Sequence, residues 1–290
     1  MRYRFISAEK ANYPVAILCQ VMRVAKSGFY AWLKGEKSPY SQANEALIPL
    51  VRQIHKDSAQ TYGTRRMAAA LRARGYACGR ARARTLMRLA GVAVKRRTRF
   101  KVTTDSNHKL AVSPNLLNRE FDVVRPDLVW TGDLTYIWTH EGWLYLAVVI
   151  DLFNREVVGW SMGKRITKEL VVNAFNMAYW RRRPALGLLF HSDRGSQYCS
   201  TAFLKTLKAH GAISSMSRRG DCWDNAPSES FFATLKKDRV YHKSYKTRKE
   251  AKLDTIDYLE MFYNSRRLHS ALGYVSPRQF EADWLLANVA

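Results

Sequence analysis

Residues 143–153, WLYLAVVIDLF, are apolar at nearly every position, so a strand formed here has two faces that the rest of the chain must cover. The preceding run, VWTGDLTYIWT, is β-branched and aromatic, and it joins that strand across Thr139 to Gly142 as in a hairpin. REVVGWSMG supplies a third strand. Thr167 is positioned to cap a helix through Val171, Ala174 and Ala178, which Pro184 ends before a fourth strand in GLLFHSD. A further helix from about Thr201 and the short strand ISSMS complete the pattern. Antiparallel strands followed by alternating helix and strand predict an α/β architecture, a mixed five-stranded sheet flanked by helices.

Upstream of residue 122 the pattern is helical. PVAILCQVMRVAKSGFYAWLKGE reads as an apolar helix, a break near Ala25 and a second helix capped by Ser27, a helix-turn-helix segment over 1–40. Residues 44–94 hold three helical stretches punctuated by Gly63, Gly75 and Gly91, with Thr64 as cap of the second. On the third, Arg80, Arg84 and Arg88 fall within about 80° of azimuth, with Ala83, Leu86, Leu89 and Ala90 opposite. Such a face is either solvated or laid against phosphates, and the composition favours the second. The run KRRTRFK opens a basic linker over 95–122 that can track DNA, a catalytic core is expected over 123–238, and a helical extension over 239–290.

Charge carries the strongest statement about partners. With 48 Lys+Arg against 24 Asp+Glu the chain has a net charge of +24, which calls for a polyanion, nucleic acid before an anionic membrane. Residues 1–122 hold 24 basic and 7 acidic side chains, so the front part is the electrostatic anchor. No uncharged apolar run approaches the roughly 20 residues that cross a bilayer, and MRYRFISAEK leads into no cleavable export signal. A soluble, cytoplasmic, nucleoid-associated protein is expected. Cys19, Cys78, Cys199 and Cys222 form no CxxC pair, so neither structural zinc nor a disulfide framework is indicated.

Three acids stand out. Asp133 lies inside a strand of β-formers, where a lone buried carboxylate is costly. Asp193 follows the fourth strand in HSDRGSQY, the strand end at which open sheets usually place ligands. Glu229 follows GDCWDNAP, in which Asn225 can cap and Pro227 can occupy the first turn of a helix through FFATLKK. On that helix Phe231, Phe232 and Leu235 form an apolar arc, and Glu229 and Lys236 flank one groove beside it. Taken singly, each acid has a structural explanation as turn former, loop acid or helix-start charge. Taken together they suit a hard cation such as Mg²⁺, which binds carboxylate and water oxygens.

WTGDLTYI, HSDRGSQY, GDCWDNAPSESFFATLKKD and YNSRRLHSALGYVSPRQF, in this order, resemble the successive blocks of the orfB transposases of the insertion-sequence-3 family, relatives of retroviral integrases. The resemblance spans essentially the whole chain, and thirty-five residues separate Asp193 from Glu229, the interval of that family's signature. It implies an RNase H-like integrase core and a DNA transposase that cleaves and joins strands at insertion-sequence ends. It assigns Asp133, Asp193 and Glu229 as catalytic ligands of Mg²⁺ or Mn²⁺, two ions in all, and Lys236 as a contact to the DNA end. SGFYAWL and TYGTRRMAAALRARG likewise resemble the family's helix-turn-helix segments, while Trp223 stands where many relatives carry tyrosine. The implied partners are terminal inverted repeats, target DNA, further copies of the chain on DNA, and the upstream orfA product as a frameshift fusion.

Other residues compete for roles. Asp151 rivals the three acids by position but is read as structural; His191 either orders a ligand or packs in the core; Asp221 and Asp224 shape a loop. Tyr263, Arg266, Arg267 and His269 hold the groups of a tyrosine recombinase, but their crowding on one short segment favours a C-terminal piece packed on the core and contacting DNA. A passive DNA-binding regulator is the non-enzymatic alternative.

Overall fold

The computed structural model describes residues 1–35, 37–94, 112–218 and 222–288. The chain divides into two compact units, Met1–Asp57 with Met67–Ala93, and Ser58–Arg66 with Val94–Ala290.

The first unit is helical: α1 (Arg2–Glu9), α2 (Val15–Val21), α3 (Lys26–Lys34), α4 (Pro39–Asp57), most of α5 (Thr64–Arg72) and α6 (Arg80–Leu89). Ile6, Leu18, Cys19 and Phe29 pack the first three helices together. The helix α1 was not foreseen, because it buries Ile6 alone and presents no periodic apolar face. Ser27 lies inside α3, whose cap position is Ala25, and Thr64 is the first residue of its helix rather than the residue before it. On α6 the arginines Arg80, Arg84 and Arg88 are exposed, as their spacing predicts. Leu89 corrects that reading, since it is 46% exposed and Met87 is buried instead. The buried arc of Ala83, Leu86, Met87 and Ala90 is centred about 110° from the azimuth of Leu89. Arg82 is structural, donating from Nε to Asn44 Oδ1 at 2.9 Å and from Nη1 to the Ala77 carbonyl at 2.8 Å.

The second unit is built on a five-stranded sheet of β1 (Val129–Ile137), β2 (Leu144–Asp151), β3 (Val157–Gly163), β4 (Leu189–Ser192) and β5 (Ile213–Met216), in the order β3-β2-β1-β4-β5. The three edge-to-centre strands β3, β2 and β1 are antiparallel meander neighbours, whereas β4 and β5 run parallel to β1. The helices α7 (Lys168–Arg182), α8 (Thr201–Ala209), α9 (Ala226–Asp238), α10 (Arg248–Asp257) and α11 (Pro277–Asn288) complete the unit. Trp130, Ala147, Val149, Phe175, Phe190 and Phe203 belong to its main core, which covers one face of β2, and Leu146, Val148 and Ile150 on the other face are buried as well. Gly159 permits the close crossing of α7, since a Cβ there would stand 2.3 Å from the Ala174 carbonyl oxygen.

Residues 95–111 of the expected linker, with its basic run, lie outside the described residues. Its final part is no loose tether: the Met216 amide donates to the Pro114 carbonyl at 3.2 Å, and Leu117 is buried beside β5. The C-terminal segment packs on the core as expected. Asn264 donates to the Val157 carbonyl and accepts from the Val157 amide, each at 3.0 Å, while Phe153 meets the rings of Phe280 and Trp284.

Candidate active site

Two of the three acids are brought side by side by strand register. Gly132 on β1 pairs with Ser192 on β4 in parallel alignment, so Asp133 and Asp193 each lie one residue beyond the same rung. Neighbouring strands run about 4.8 Å apart, which puts the two carboxylates in one neighbourhood although fifty-nine residues separate them. Gly132 is glycine for a packing reason, since a Cβ would meet the Phe190 ring at 2.4 Å. Asp133 Oδ1 accepts from the Leu134 amide at 2.7 Å, and Asp193 Oδ1 accepts from the Gly195 amide at 2.9 Å.

Glu229 arrives on α9. Asn225 takes the cap position and Pro227 the first turn, as read from the sequence, but the Asn225 side chain makes no capping bond. It turns instead to β1, where its Oδ1 accepts from Thr131 Oγ1 at 2.8 Å; the Ser228 hydroxyl joins them at 3.1 Å. All three groups are buried. Phe231, Phe232 and Leu235 seat the rest of the helix, and Glu229 remains exposed at its start. Trp223, just before α9, is 70% exposed. Asp221 lies outside the described residues.

Lys236 is only 7% exposed, and its ammonium sits 4.8 Å from the centre of the Tyr136 ring, a cation–π contact. Burial pushes its amine down, and the nearby Asp133 charge opposes that shift. Sequence reasoning put Lys236 at a DNA end; here it is a largely covered cation inside the acidic site.

The electrostatics are those of crowded negative charge. Burial pushes the Asp133 carboxyl well above the ordinary carboxylate range, the Asp193 charge adds to the rise, and Glu229 contributes further. The Leu134 amide and Lys236 oppose that rise without cancelling it. Burial also raises Glu229. Tyr198, a residue that sequence reasoning missed, is buried close enough to Asp133 and Asp193 for both to raise its phenol, after burial itself. Among the described residues, no three His, Cys, Asp or Glu side chains already stand as a group that could hold a metal ion. The donor set nevertheless suits a hard divalent cation: three carboxylates, one of them raised by burial and by its neighbours, with no thiolate or imidazole among them.

The competing residues have other duties. Asp151 pairs with Trp130, three rungs and about 10 Å from Asp133 along the strand direction. It accepts from the Asp127 and Phe153 amides at 2.9 Å each, and burial pushes its carboxyl up to about 7. His191 is buried between Ser215 Oγ at 2.9 Å and Ser217 Oγ at 3.2 Å, and burial pushes its imidazole down to about 4. It is a packed core histidine. Burial acts to raise Asp224, but its bonds to Arg218 and Arg119 outweigh that and hold it well below the usual range. Tyr263 is buried against Phe231, with its phenol raised by burial, and Arg267 is tied to Asp238 at 2.6 Å. No exposed tyrosine nucleophile is formed by that segment.

The strand order, the parallel pairing of β1 with β4 and the acids at their rungs define an RNase H-like integrase core, the class of polynucleotidyl transferases. Residues 123–222 and 229–285 each match families described as integrase core domain, and residues 42–100 match an HTH-like domain. The "Insertion element IS600 uncharacterized 31 kDa protein" of Shigella sonnei is 44% identical over 91% of this chain and 97% of its own length. "Transposase InsF for insertion sequence IS3A" of Escherichia coli (strain K12) is 40% identical over 97% of this chain and 98% of its own. The chain belongs to the insertion-sequence-3 family of transposases. A solved HTLV-2 integrase catalytic core domain in complex with magnesium is 17% identical, covers 55% of this chain and 98% of that one, and has a TM-score of 0.41, a likeness that bears on neither site nor chemistry. Among the described residues no helix is long and apolar enough to cross a membrane.

Proposed function

We propose that this chain cleaves DNA at the ends of an insertion sequence and joins the freed strand to a target phosphodiester, using divalent metal held by Asp133, Asp193 and Glu229. The observation that carries this reading is the shared rung of β1 and β4, beyond which burial and the Asp193 charge raise the cost of ionising Asp133. A site that spends stability on adjacent carboxylates has a use for a cation. Mg²⁺ or Mn²⁺, two ions when fully loaded, would supply Lewis-acid polarisation of the phosphate and activation of the attacking oxygen.

The chain's own residues do the rest. β1 and β4 carry Asp133 and Asp193, and the Thr131–Asn225 bond ties the start of α9, which carries Glu229, to the same strand. Lys236 balances the carboxylates beside Asp133 and meets a DNA phosphate once that phosphate enters the site. Arg80, Arg84 and Arg88, exposed along α6, contact the duplex backbone. The working assembly is an oligomer on terminal-repeat and target DNA, in the cytoplasm at the nucleoid, with the upstream orfA product supplied as a frameshift fusion.

The test is strand joining with labelled terminal-repeat DNA and Mg²⁺ or Mn²⁺, comparing the fused protein with its Asp193→Asn variant. The expected result is DNA binding retained and joining reduced at least a thousandfold. Equal joining by both proteins would refute the assignment, and joining without added metal but with a covalent protein–DNA adduct would favour nucleophilic catalysis instead.

A further inference from the structure

The hairpin that joins β1 to β2 presents two large aromatic rings to solvent. Just past the last rung of the pair, Ile137 with Leu144, Trp138 is 56% exposed and Trp143 41% exposed, and their rings meet edge to face at 4.7 Å. Trp143 also meets Tyr136 edge to face at 4.8 Å, and the Lys236 ammonium lies 4.8 Å from the centre of that tyrosine ring. Lys236 is in turn close enough to Asp133 for the carboxylate to act on its amine. A continuous series of neighbours therefore runs from the acidic site to two open indoles, about 17 Å along the strand from Asp133 to Trp138. A lone exposed apolar side chain is ordinary, whereas adjoining exposed indoles mark a surface that meets a partner. The catalytic reading uses neither tryptophan.

The flank of the hairpin is cationic. Thr139 pairs with Tyr245, which is buried with Ile137 and Leu144 on one side of the hairpin. Ser244 instead meets the His140 ring at 3.0 Å, and Lys243 and Thr247 are both extended, so Lys246 falls with Ser244, His140 and Trp138 on the other side. Lys246 is exposed. Residues 243–252 hold five basic side chains against one acidic. The nearby acids are turned to backbone donors: Glu141 Oε2 accepts from the Arg248 amide and Glu250 Oε2 from the Lys246 amide, each at 2.8 Å. Arg248 Nε donates to the Trp143 carbonyl at 3.0 Å, which fixes this basic segment to the tryptophan hairpin.

We infer that Trp138 and Trp143 stack unpaired bases of the DNA strand whose phosphate enters the acidic site, while Lys246 and its basic neighbours follow the phosphates of that strand. Aromatic platforms beside a cationic track suit a single strand, because every base offers a flat face to an indole whatever its sequence. In a duplex those faces are covered by the adjoining base pairs, so the occupant is an unpaired stretch a few nucleotides from the reacting phosphate. The inference rests on the DNA-joining reading for the identity of the strand, and it makes no use of the metal assignment.

Equilibrium binding of the full chain to three labelled DNA probes, without metal and at fixed salt, tests it: a blunt duplex, the same duplex with a short unpaired tail, and that tail made abasic. The tailed duplex is expected to bind at least tenfold tighter than the blunt one, and the abasic tail, which keeps the phosphates and lacks the bases, to lose most of that gain. Trp138→Ala and Trp143→Ala each weaken the tailed duplex at least fivefold and leave the blunt duplex as it was. Trp138→Tyr keeps the preference, and Trp180→Ala, exposed on α7, changes nothing. Lys246→Gln weakens the tailed and abasic-tailed duplexes alike and lowers the salt slope by about 1. Equal affinity for the tailed and abasic-tailed probes would overturn the inference without recourse to any variant, as would an intact preference in both tryptophan variants; the hairpin would then be a surface for a protein partner. The Asp193→Asn variant should show the same preference as the natural chain. Absence of the preference together with loss of strand joining in that variant would remove the stacking platform and leave the active-site reading standing.

Discussion

Thr131 Oγ1 donates to Asn225 Oδ1 across 2.8 Å of buried space, joining the strand of Asp133 to the cap position of the helix that carries Glu229. The bond replaces the capping interaction that Asn225 would otherwise make, so the helix start is fixed to the sheet and not to its own backbone. Thr131→Val removes the donor and leaves a buried amide oxygen without it, at a cost of about 1–3 kcal/mol. Denaturant unfolding should register that loss, and strand joining should fall by more than the unfolded fraction explains. Unchanged stability and joining would mean that the tie does not position the helix.

The crowding at Asp133 has a sign that can be measured. Its folded carboxyl is raised, by burial first and then by Asp193 and Glu229, so its contribution to stability is complete below the unfolded carboxylate range and is lost as pH rises through the folded value. At neutral pH and without metal, Asp133→Asn should therefore melt a few degrees higher than the natural chain while losing strand joining. Mg²⁺ should raise the melting temperature of the natural chain and not that of the variant. Calorimetry with and without Mg²⁺ checks both statements.

His191 gives a contribution of the opposite sense. Its imidazole is pushed down to about 4 by burial, so the neutral ring stabilises the fold above the ordinary histidine value, and that stability drains away as pH falls toward 4. A shift of this size corresponds to about 3 kcal/mol. Asp151, raised to about 7 by burial, works against it, contributing at low pH and losing that contribution as pH rises through 7. The comparison that isolates the histidine is therefore between the natural chain and His191→Gln, whose stability should be flatter between pH 6.5 and pH 4.

The arginine face of α6 should act through phosphates alone. Replacing Arg80, Arg84 and Arg88 with glutamine should weaken DNA binding uniformly across sequences and reduce the slope of log affinity against log salt by about 1 for each phosphate that is no longer neutralised. The three side chains are exposed, so folding should be unaffected. An unchanged slope would identify the face as merely solvated.

Much of the sheet was legible because β2 is apolar on both faces and turn residues mark the ends of its neighbours. The adjacency of Asp133 and Asp193 was not, since a parallel register between strands so far apart in sequence is set by packing around Gly132, Phe190 and Tyr198. The position of Asn225 could be read, but the direction of its side chain could not, because a buried threonine competes with the helix backbone for its oxygen. Lys236 was legible as a cation near Glu229; its burial over Tyr136 depends on a hairpin strand a hundred residues earlier. Leu89 and Ser27 show the limit of local rules, since a helix wheel does not fix the centre of the buried arc and a serine near a helix start need not be its cap.

The central claim is that Asp133, Asp193 and Glu229 share divalent metal. The most direct measurement is anomalous scattering from Mn²⁺ in crystals of the fused protein with terminal-repeat DNA. Manganese peaks ligated by all three carboxylates are the predicted result. Peaks elsewhere, with these carboxylates bound to nothing but protein and water in a complex that joins DNA, would contradict the account.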